Sequence, residues 1–191
     1  KILIDQINNL SNIAASFSTF AKISETKFTK VDLVEKLKSS VELFGNNTED
    51  VNFILELNDC KQEYIWMDEK QTLQVFNNLF RNAIQAIPNE RKGIVETTLI
   101  KKDESLLVQI KDNGCGIPEE TQKNIFQPNF TTKTSGMGLG LAIVKNIMLS
   151  AGGDIWFESS ENIGTCFFLS FPRFKDEKND ALSSQQSIAE I

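Results

Sequence analysis

Residues 105–118 read Ser-Leu-Leu-Val-Gln-Ile-Lys-Asp-Asn-Gly-Cys-Gly-Ile-Pro. The first seven form a β-rich run that empties without a spacer into Asp112-Asn113-Gly114-Cys115-Gly116-Ile117-Pro118. Two glycines one residue apart let a backbone come close to a flat ligand. A carboxylate at a strand end can accept a hydrogen bond from an exocyclic amine. The same residue types also build ordinary turns, so the stretch takes its meaning from its surroundings.

Outward from it, Gly93–Lys101 and Ser105–Lys111 predict a hairpin turning at 102–104. Val51–Leu57 alternates apolar and polar residues and predicts a strand, and Glu63–Met67 predicts a shorter one. Val31–Phe44 predicts an amphipathic helix stopped by Gly45, and Asp68–Ile87 a long helix capped by Asp68 and stopped by Pro88-Asn89. Glu119–Phe126 predicts a helical turn, and Leu139–Ala151 a helix ended by Gly152-Gly153. Ile155–Ser159 and Thr165–Phe171 predict a final hairpin. Helices interleaved with adjacent hairpins predict an α+β fold, a two-layer α/β sandwich, rather than a doubly wound parallel sheet.

The flanks read differently. In residues 1–23, Leu3, Ile7, Leu10, Ala14, Phe17 and Ala21 follow heptad spacing, widened by Ile13 and Phe20. Such a helix packs either on its own domain or in a multichain bundle. Residues 24–30 (SETKFTK) are polar and predict a linker, and 175–191 are mostly polar and are expected to be disordered. The domain is therefore expected to span 31–174. The chain has no initiator Met and opens inside a helical pattern, which reads as a piece of something longer.

Composition narrows the chemistry. The chain has 191 residues, 40% hydrophobic and 24% charged, which excludes wholesale disorder. The formal charge of −6 argues against duplex nucleic acid as the main partner but leaves nucleotides open, because backbone N–H groups can hold phosphates. No apolar run approaches the roughly 18 residues of a spanning helix, so no membrane contact is expected of this chain. The three cysteines, Cys60, Cys115 and Cys166, are far apart, which suits a reducing, cytoplasmic setting and not a disulfide framework or zinc site. The absence of histidine removes histidine bases, triads and metal ligands.

Two further motifs remain. Asn78 and Asn82 stand four apart on one helix face, beside Val75, Leu79, Ala83 and Ala86. They are either solvated polar residues or buried groups that must be hydrogen-bonded or coordinating; amide oxygens are hard neutral ligands suited to Mg²⁺. Gly136-Met137-Gly138-Leu139-Gly140 opens a helix, where successive N–H groups and the helix dipole make an anion site. Thr131, Thr132, Lys133, Thr134 and Ser135 stand just before it. No GK[ST] follows, so this is not a Walker loop, and the spacing is not the dinucleotide GxGxxG. Taken alone it could be a flexible glycine-rich loop.

In combination the motifs are specific. Asn78-Leu-Phe-Arg-Asn82-Ala, Asp112-x-Gly-x-Gly116-Ile-Pro, Ile-Phe126, Gly136-x-Gly-x-Gly140-Leu and Gly164-Thr165, in this order, closely resemble the ATP-binding domain of sensor histidine kinases. These belong to the wider group of gyrase, Hsp90 and MutL-type ATPases. The matching segments are the N box (Asn78, Asn82), the G1 box (Asp112, Gly114, Gly116), the F box (Phe126, Phe130) and the G2 box (Gly136, Gly138, Gly140). The resemblance covers about residues 30–174. Residues 1–23 resemble the second helix of the dimerisation and phosphotransfer hairpin, and Phe17-Ser-Thr-Phe-Ala21 resembles the nitrogen-regulation subgroup.

The resemblance implies a Bergerat-type sandwich that binds ATP and Mg²⁺. Asp112 would bond the adenine amino group, with Gly114, Gly116, Ile117, Phe126 and Thr165 around the nucleotide. Asn82 would ligate Mg²⁺, with Asn78 close to the phosphates. Gly136, Met137, Gly138, Leu139 and Gly140 would hold the triphosphate, and Lys133, with Thr131, Thr132 and Ser135, would lie in a lid over the γ-phosphate. Asn78, Asn82 and Lys133 would carry catalysis. The implied function is transfer of the ATP γ-phosphate to a histidine outside this chain, for relay to the aspartate of a response-regulator receiver domain, in a homodimer formed through the bundle helix. The alternative is an ATP-binding interaction module, a pseudo-kinase or a serine kinase of anti-sigma type. Two positions depart from the family pattern. Gln85 stands where many members carry Lys, and Asn129 where an aromatic is frequent.

Overall fold

The structure is a computed structural model, and it describes residues 26–48, 50–131 and 137–174. The expectations for 1–23 and 175–191, and for Thr132, Lys133, Ser135 and Gly136, lie outside the described residues. The elements are β1 (Phe28–Asp32), α1 (Leu33–Gly45), β2 (Val51–Glu56), β3 (Tyr64–Asp68), α2 (Glu69–Ala86), β4 (Gly93–Lys101), β5 (Ser105–Asp112), α3 (Glu119–Gln122), α4 (Gly140–Ser150), β6 (Asp154–Ser160) and β7 (Gly164–Pro172).

Five strands form one sheet in the order β2-β4-β5-β7-β6. Its pairs are antiparallel except β2–β4, where Val51 faces Gly93 in parallel register. One sheet face carries the core. Val95, Leu99, Val108, Ile110, Phe167, Leu169 and Phe171 alternate inward on β4, β5 and β7 and are buried. Against them lies α2, whose buried Thr72, Val75, Phe76, Leu79, Phe80 and Ala83 recur at the three-and-four spacing of a helix face. Phe80 links the layers by meeting Phe53 of β2 edge-on at 5.6 Å and Phe44 of α1 at 5.5 Å. This is the two-layer α+β sandwich that the sequence predicts.

The helix starts follow from short-range chemistry. Asp68 accepts from the N–H groups of Lys70 and Gln71, and Asp32 does the same for Val34 and Glu35, so each carboxylate caps a first turn. The second cap corrects the sequence reading. The stretch 24–30, expected to be linker, contains the start of β1, and α1 begins at Leu33 rather than Val31. β1 lies antiparallel to β3 in a separate two-stranded sheet, with Thr29 opposite Met67 and Val31 opposite Ile65. Its polar residues form a strand because the partner strand supplies the hydrogen bonds and buries Val31.

The small sheet is tied to the large one through a buried carboxylate. Glu63, 7% exposed, accepts from Lys101 Nζ at 2.6 Å at the end of β4 and lies 3.3 Å from Arg173 Nη2 just past β7. Glu63→Gln removes the charge from both pairs and leaves the partly buried Arg173 guanidinium without it. It is expected to lower stability by about 1–3 kcal/mol, read as a lower urea midpoint at unchanged slope.

Candidate functional site

The C-terminal half of α2, the loop after β5, the start of α4 and the β6–β7 turn converge at one end of the sandwich. Asp112 closes β5, is 5% exposed, and lies opposite Thr165 of β7 in the ladder. Its Oδ1 accepts from the Gly114 N–H at 2.9 Å and the Thr165 N–H at 3.3 Å. A buried carboxylate needs such donors, and these come from the loop and strand beside it. Thr165 Oγ1 stands 2.9 Å from Ser159 Oγ of β6, and Ser159 Oγ accepts from the Ile117 N–H at 2.8 Å.

The glycines here are dictated by contact. A Cβ on Gly164, whose φ is +142°, would stand 2.0 Å from the Asp112 carbonyl oxygen. One on Gly116, at φ +69°, would stand 2.1 Å from the Ser160 carbonyl oxygen. Only glycine allows these approaches, and they press the Asp112 loop against the β6–β7 turn. The loop is also pinned to α2, because the Cys115 N–H donates to the Ala86 carbonyl at 2.8 Å and a Cβ on Gly114 would stand 2.7 Å from that same oxygen.

Asn78 and Asn82 are both half-buried on α2. A Cβ on Gly140 would lie 3.5 Å from Asn78 Oδ1, so α2 meets the start of α4 at this asparagine. The N-cap of α4, Leu139, makes no side-chain capping bond. Gly138 adopts φ +66° and passes so close to the Phe130 carbonyl that a Cβ would stand 2.4 Å from it. Phe126 meets Phe157 of β6 edge-on at 5.9 Å, and Lys145 Nζ lies 5.6 Å from the Phe126 ring centroid. Asn129 has φ +64°, which explains the departure from an aromatic, since asparagine tolerates the left-handed region and a bulky ring does not.

Of the expected site residues, Asp112, Gly114 and Thr165 form one hydrogen-bonded cluster that Ile117 joins through Ser159, Gly116 lies against the Ser160 carbonyl, and Asn78 meets Gly140 across the α2–α4 contact. Met137, Gly138 and Leu139 lead into α4, and Thr131 is exposed at the near end of the segment before them. The sequence reading missed Ser159, which looks like any alternating strand serine, and Arg91, which stands in a polar loop with no period.

A comparison with protein-family models matches residues 67–175 to the histidine kinase-, DNA gyrase B- and HSP90-like ATPases. The chain belongs to this ATPase family. Among curated relatives it is 33% identical over 171 residues to a Rickettsia conorii NtrY-like protein of the sensor histidine kinase class, covering 90% of this chain and 28% of that protein. It is 31% identical over 174 residues to the sensor histidine kinase ZraS of Escherichia coli, covering 90% of this chain and 37% of that protein. The chain thus spans well under half the length of these relatives. The catalytic domain of the histidine kinase ThkA superimposes with a TM-score of 0.69 at 33% identity, over 77% of this chain and 96% of that one. ThkA in complex with the response regulator TrrA superimposes at 0.74 and 28% identity, over 91% of this chain and 50% of that one. The ATPase domain of the histidine kinase type is therefore the unit that these residues build. Among the described residues, no helix is long and apolar enough to cross a membrane.

The cysteines of this ATPase domain differ in exposure and surroundings. Burial pushes the Cys166 thiol up to about 11, with the Glu158 carboxylate adding to the effect. Cys166 lines a shallow cavity of about 160 Å³ with Lys111, Glu158 and Ser160. Burial also raises Cys60, whereas Cys115 is exposed between Gly114 and Gly116. A raised thiol stays protonated, and so unreactive, at any pH well below its own value. At pH 8 iodoacetamide is expected to label Cys115 alone, with Cys60 and Cys166 reacting only after denaturation, as read by peptide mass spectrometry.

Proposed function

We propose that this domain binds Mg²⁺-ATP between α2, the Asp112 loop, the start of α4 and the β6–β7 turn. It presents the γ-phosphate to a histidine outside this chain, in the catalytic part of a cytoplasmic two-component sensor kinase. The observation that carries the reading is the buried Asp112 carboxylate, oriented by Gly114 and Thr165 N–H groups beside the α2–α4 contact at Asn78 and Gly140. The named relatives are sensor histidine kinases, which favours the kinase over an interaction module.

In this reading Asp112 accepts a hydrogen bond from the adenine amino group, and Thr165, Ile117 and Gly116 line the base. The N–H groups from Met137 to Gly140 are assigned to the phosphates, with the dipole of α4 behind them. The amide oxygen of Asn82 is assigned to Mg²⁺, with Asn78 beside the phosphates. The residues fit a hard cation that keeps water and phosphate ligands, because the α2 face offers neutral amide oxygens and the glycines leave room for the phosphates. Bound Mg²⁺ supplies neutralisation of the triphosphate charge. Lys133, with Thr131, Thr132 and Ser135, is assigned to the lid over the γ-phosphate.

Phosphoryl transfer then requires positioning above all. The imidazole nitrogen bonds to the γ-phosphorus as the bond to the β-γ bridging oxygen breaks and ADP leaves. The resemblance to the hydrolysing ATPases implies a glutamate base one turn before the Mg²⁺ asparagine, a position held here by Asn78. An amide cannot take a proton from water, so Asn78 preserves the γ-phosphate for an acceptor. In the whole protein, residues 1–23 would supply the dimerising helix. The phosphohistidine would serve a receiver domain, a pairing that the ThkA–TrrA complex illustrates for that kinase.

Asp112→Asn is the decisive test. It exchanges a charge-assisted hydrogen bond for a neutral one and is expected to weaken Mg²⁺-ATP binding by about 1.5–3 kcal/mol in calorimetry, with the melting temperature nearly unchanged. Wild-type affinity in the variant would remove Asp112 from the base pocket. Because the chain holds no histidine, incubation with γ-labelled ATP is expected to leave no acid-labile, base-stable label. Such label would refute assignment of the acceptor to another segment.

A further inference from the structure

We infer that Arg91 is a positioning residue for the adenine loop, holding the Asp112 loop and the β6–β7 turn in the conformation that receives the base; this rests on the nucleotide reading above. Arg91 stands in the loop between α2 and β4, where its N–H donates to the Pro88 carbonyl at 3.0 Å. Its Nη1 donates to the carbonyls of Asn113 at 2.5 Å and Gly114 at 3.1 Å, and its Nη2 donates to the Asn162 carbonyl at 3.2 Å. One guanidinium thus gathers three carbonyl oxygens from two segments that lie far apart in sequence.

Gly114 shows why this matters for the base. Its N–H holds Asp112 Oδ1, while its carbonyl is held by Arg91, so the peptide units on both sides of that residue are fixed. Asn113 is fixed from the same side, with its Oδ1 accepting from the Ile94 N–H at 2.8 Å and its Nδ2 donating to the Lys92 carbonyl at 3.0 Å. The Asn162 N–H returns a bond to the Cys115 carbonyl at 2.7 Å. A segment with glycine at 114 and 116 has much conformational freedom to lose, and a ligand that orders it binds more weakly. Arg91 orders it before the ligand arrives. The planar fork is what reaches several carbonyls together, and a lysine ammonium cannot reproduce that geometry.

The test uses the whole 191-residue chain and calorimetry with adenosine and Mg²⁺-ADP, well below the melting temperature. Arg91→Ala is expected to raise both dissociation constants by about ten-fold. Arg91→Lys is expected to fall between wild type and Ala, and it decides the matter alone if the Ala variant does not fold. Amide exchange gives the readout that general destabilisation would not move. The Gly114 and Cys115 amides should exchange faster in the variants, while the Val108 and Leu169 amides of the central strands keep wild-type protection. Unchanged adenosine and ADP affinity in a variant, beside a wild type that binds both, overturns the inference and leaves the nucleotide reading standing. Loss confined to ADP, or faster exchange throughout the sheet, also overturns it. A wild type that binds neither ligand overturns the nucleotide reading and this inference with it.

Discussion

The closing of the ladder between β5 and β7 at Asp112 and Thr165 is the constraint on which the rest depends. The two strands run antiparallel from Ser105 opposite Pro172 to Asp112 opposite Thr165. At its far end the core gives way to a carboxylate. That carboxylate can stay buried because Gly114 and Thr165 present N–H groups to it and because Gly164 lets the β7 backbone pass against the Asp112 carbonyl. Were either donor lost, the buried charge would face the apolar end of the sandwich. The burial of the Asp112 carboxylate and the integrity of the central strand pair are thus one problem solved once.

From that point the layers fall into place. The inward faces of β4, β5 and β7 accept α2, and α2 carries both the phenylalanines that fill the core and the two asparagines beside α4. A one-residue shift of α2 toward its C-terminus would carry Phe76 and Phe80 to the less buried positions of Asn77 and Arg81, and Asn78 and Asn82 to the buried positions of Leu79 and Ala83, so packing energy sets where the polar pair stands. This is how an apolar core of ordinary composition places the asparagine pair beside the start of α4, a helix with no side-chain cap at Leu139.

Much of this was legible in sequence. β-rich runs broken by short turns gave β4, β5 and the last hairpin, alternation gave β2, and Asp68 marked its helix by the carboxylate that caps it. The ordered asparagine and glycine boxes drew attention to this end of the sandwich, where Gly114, Gly116 and Gly138 each answer to a local steric demand. What was not legible depended on partners distant in the chain. β1 is polar and short, and only β3, more than thirty residues away, makes it a strand. Arg91 looks like a solvated loop cation until Asn113, Gly114 and Asn162 are seen around it. Asn129 stands in sequence only as a departure from a frequent aromatic, whereas its positive φ makes it a turn residue.

The small sheet has a mechanical corollary. The described domain begins at β1, paired to β3, and after β7 the chain returns to β3, with Arg173 bridging to Ile65 and the Phe174 N–H donating to Tyr64. Both ways in and out therefore cross the same strand, and β3 leads directly into α2. The Asp112 loop is pinned at the other end of α2, through Cys115 and Ala86. A helix of 18 residues spans about 27 Å. A rotation of about 10° where the chain enters would then swing the far end through about 5 Å, by the same helix length. The end of α2 that holds the Asp112 loop thus lies a helix length from β3, and a rigid-body turn of the domain about that strand would displace it by that much more.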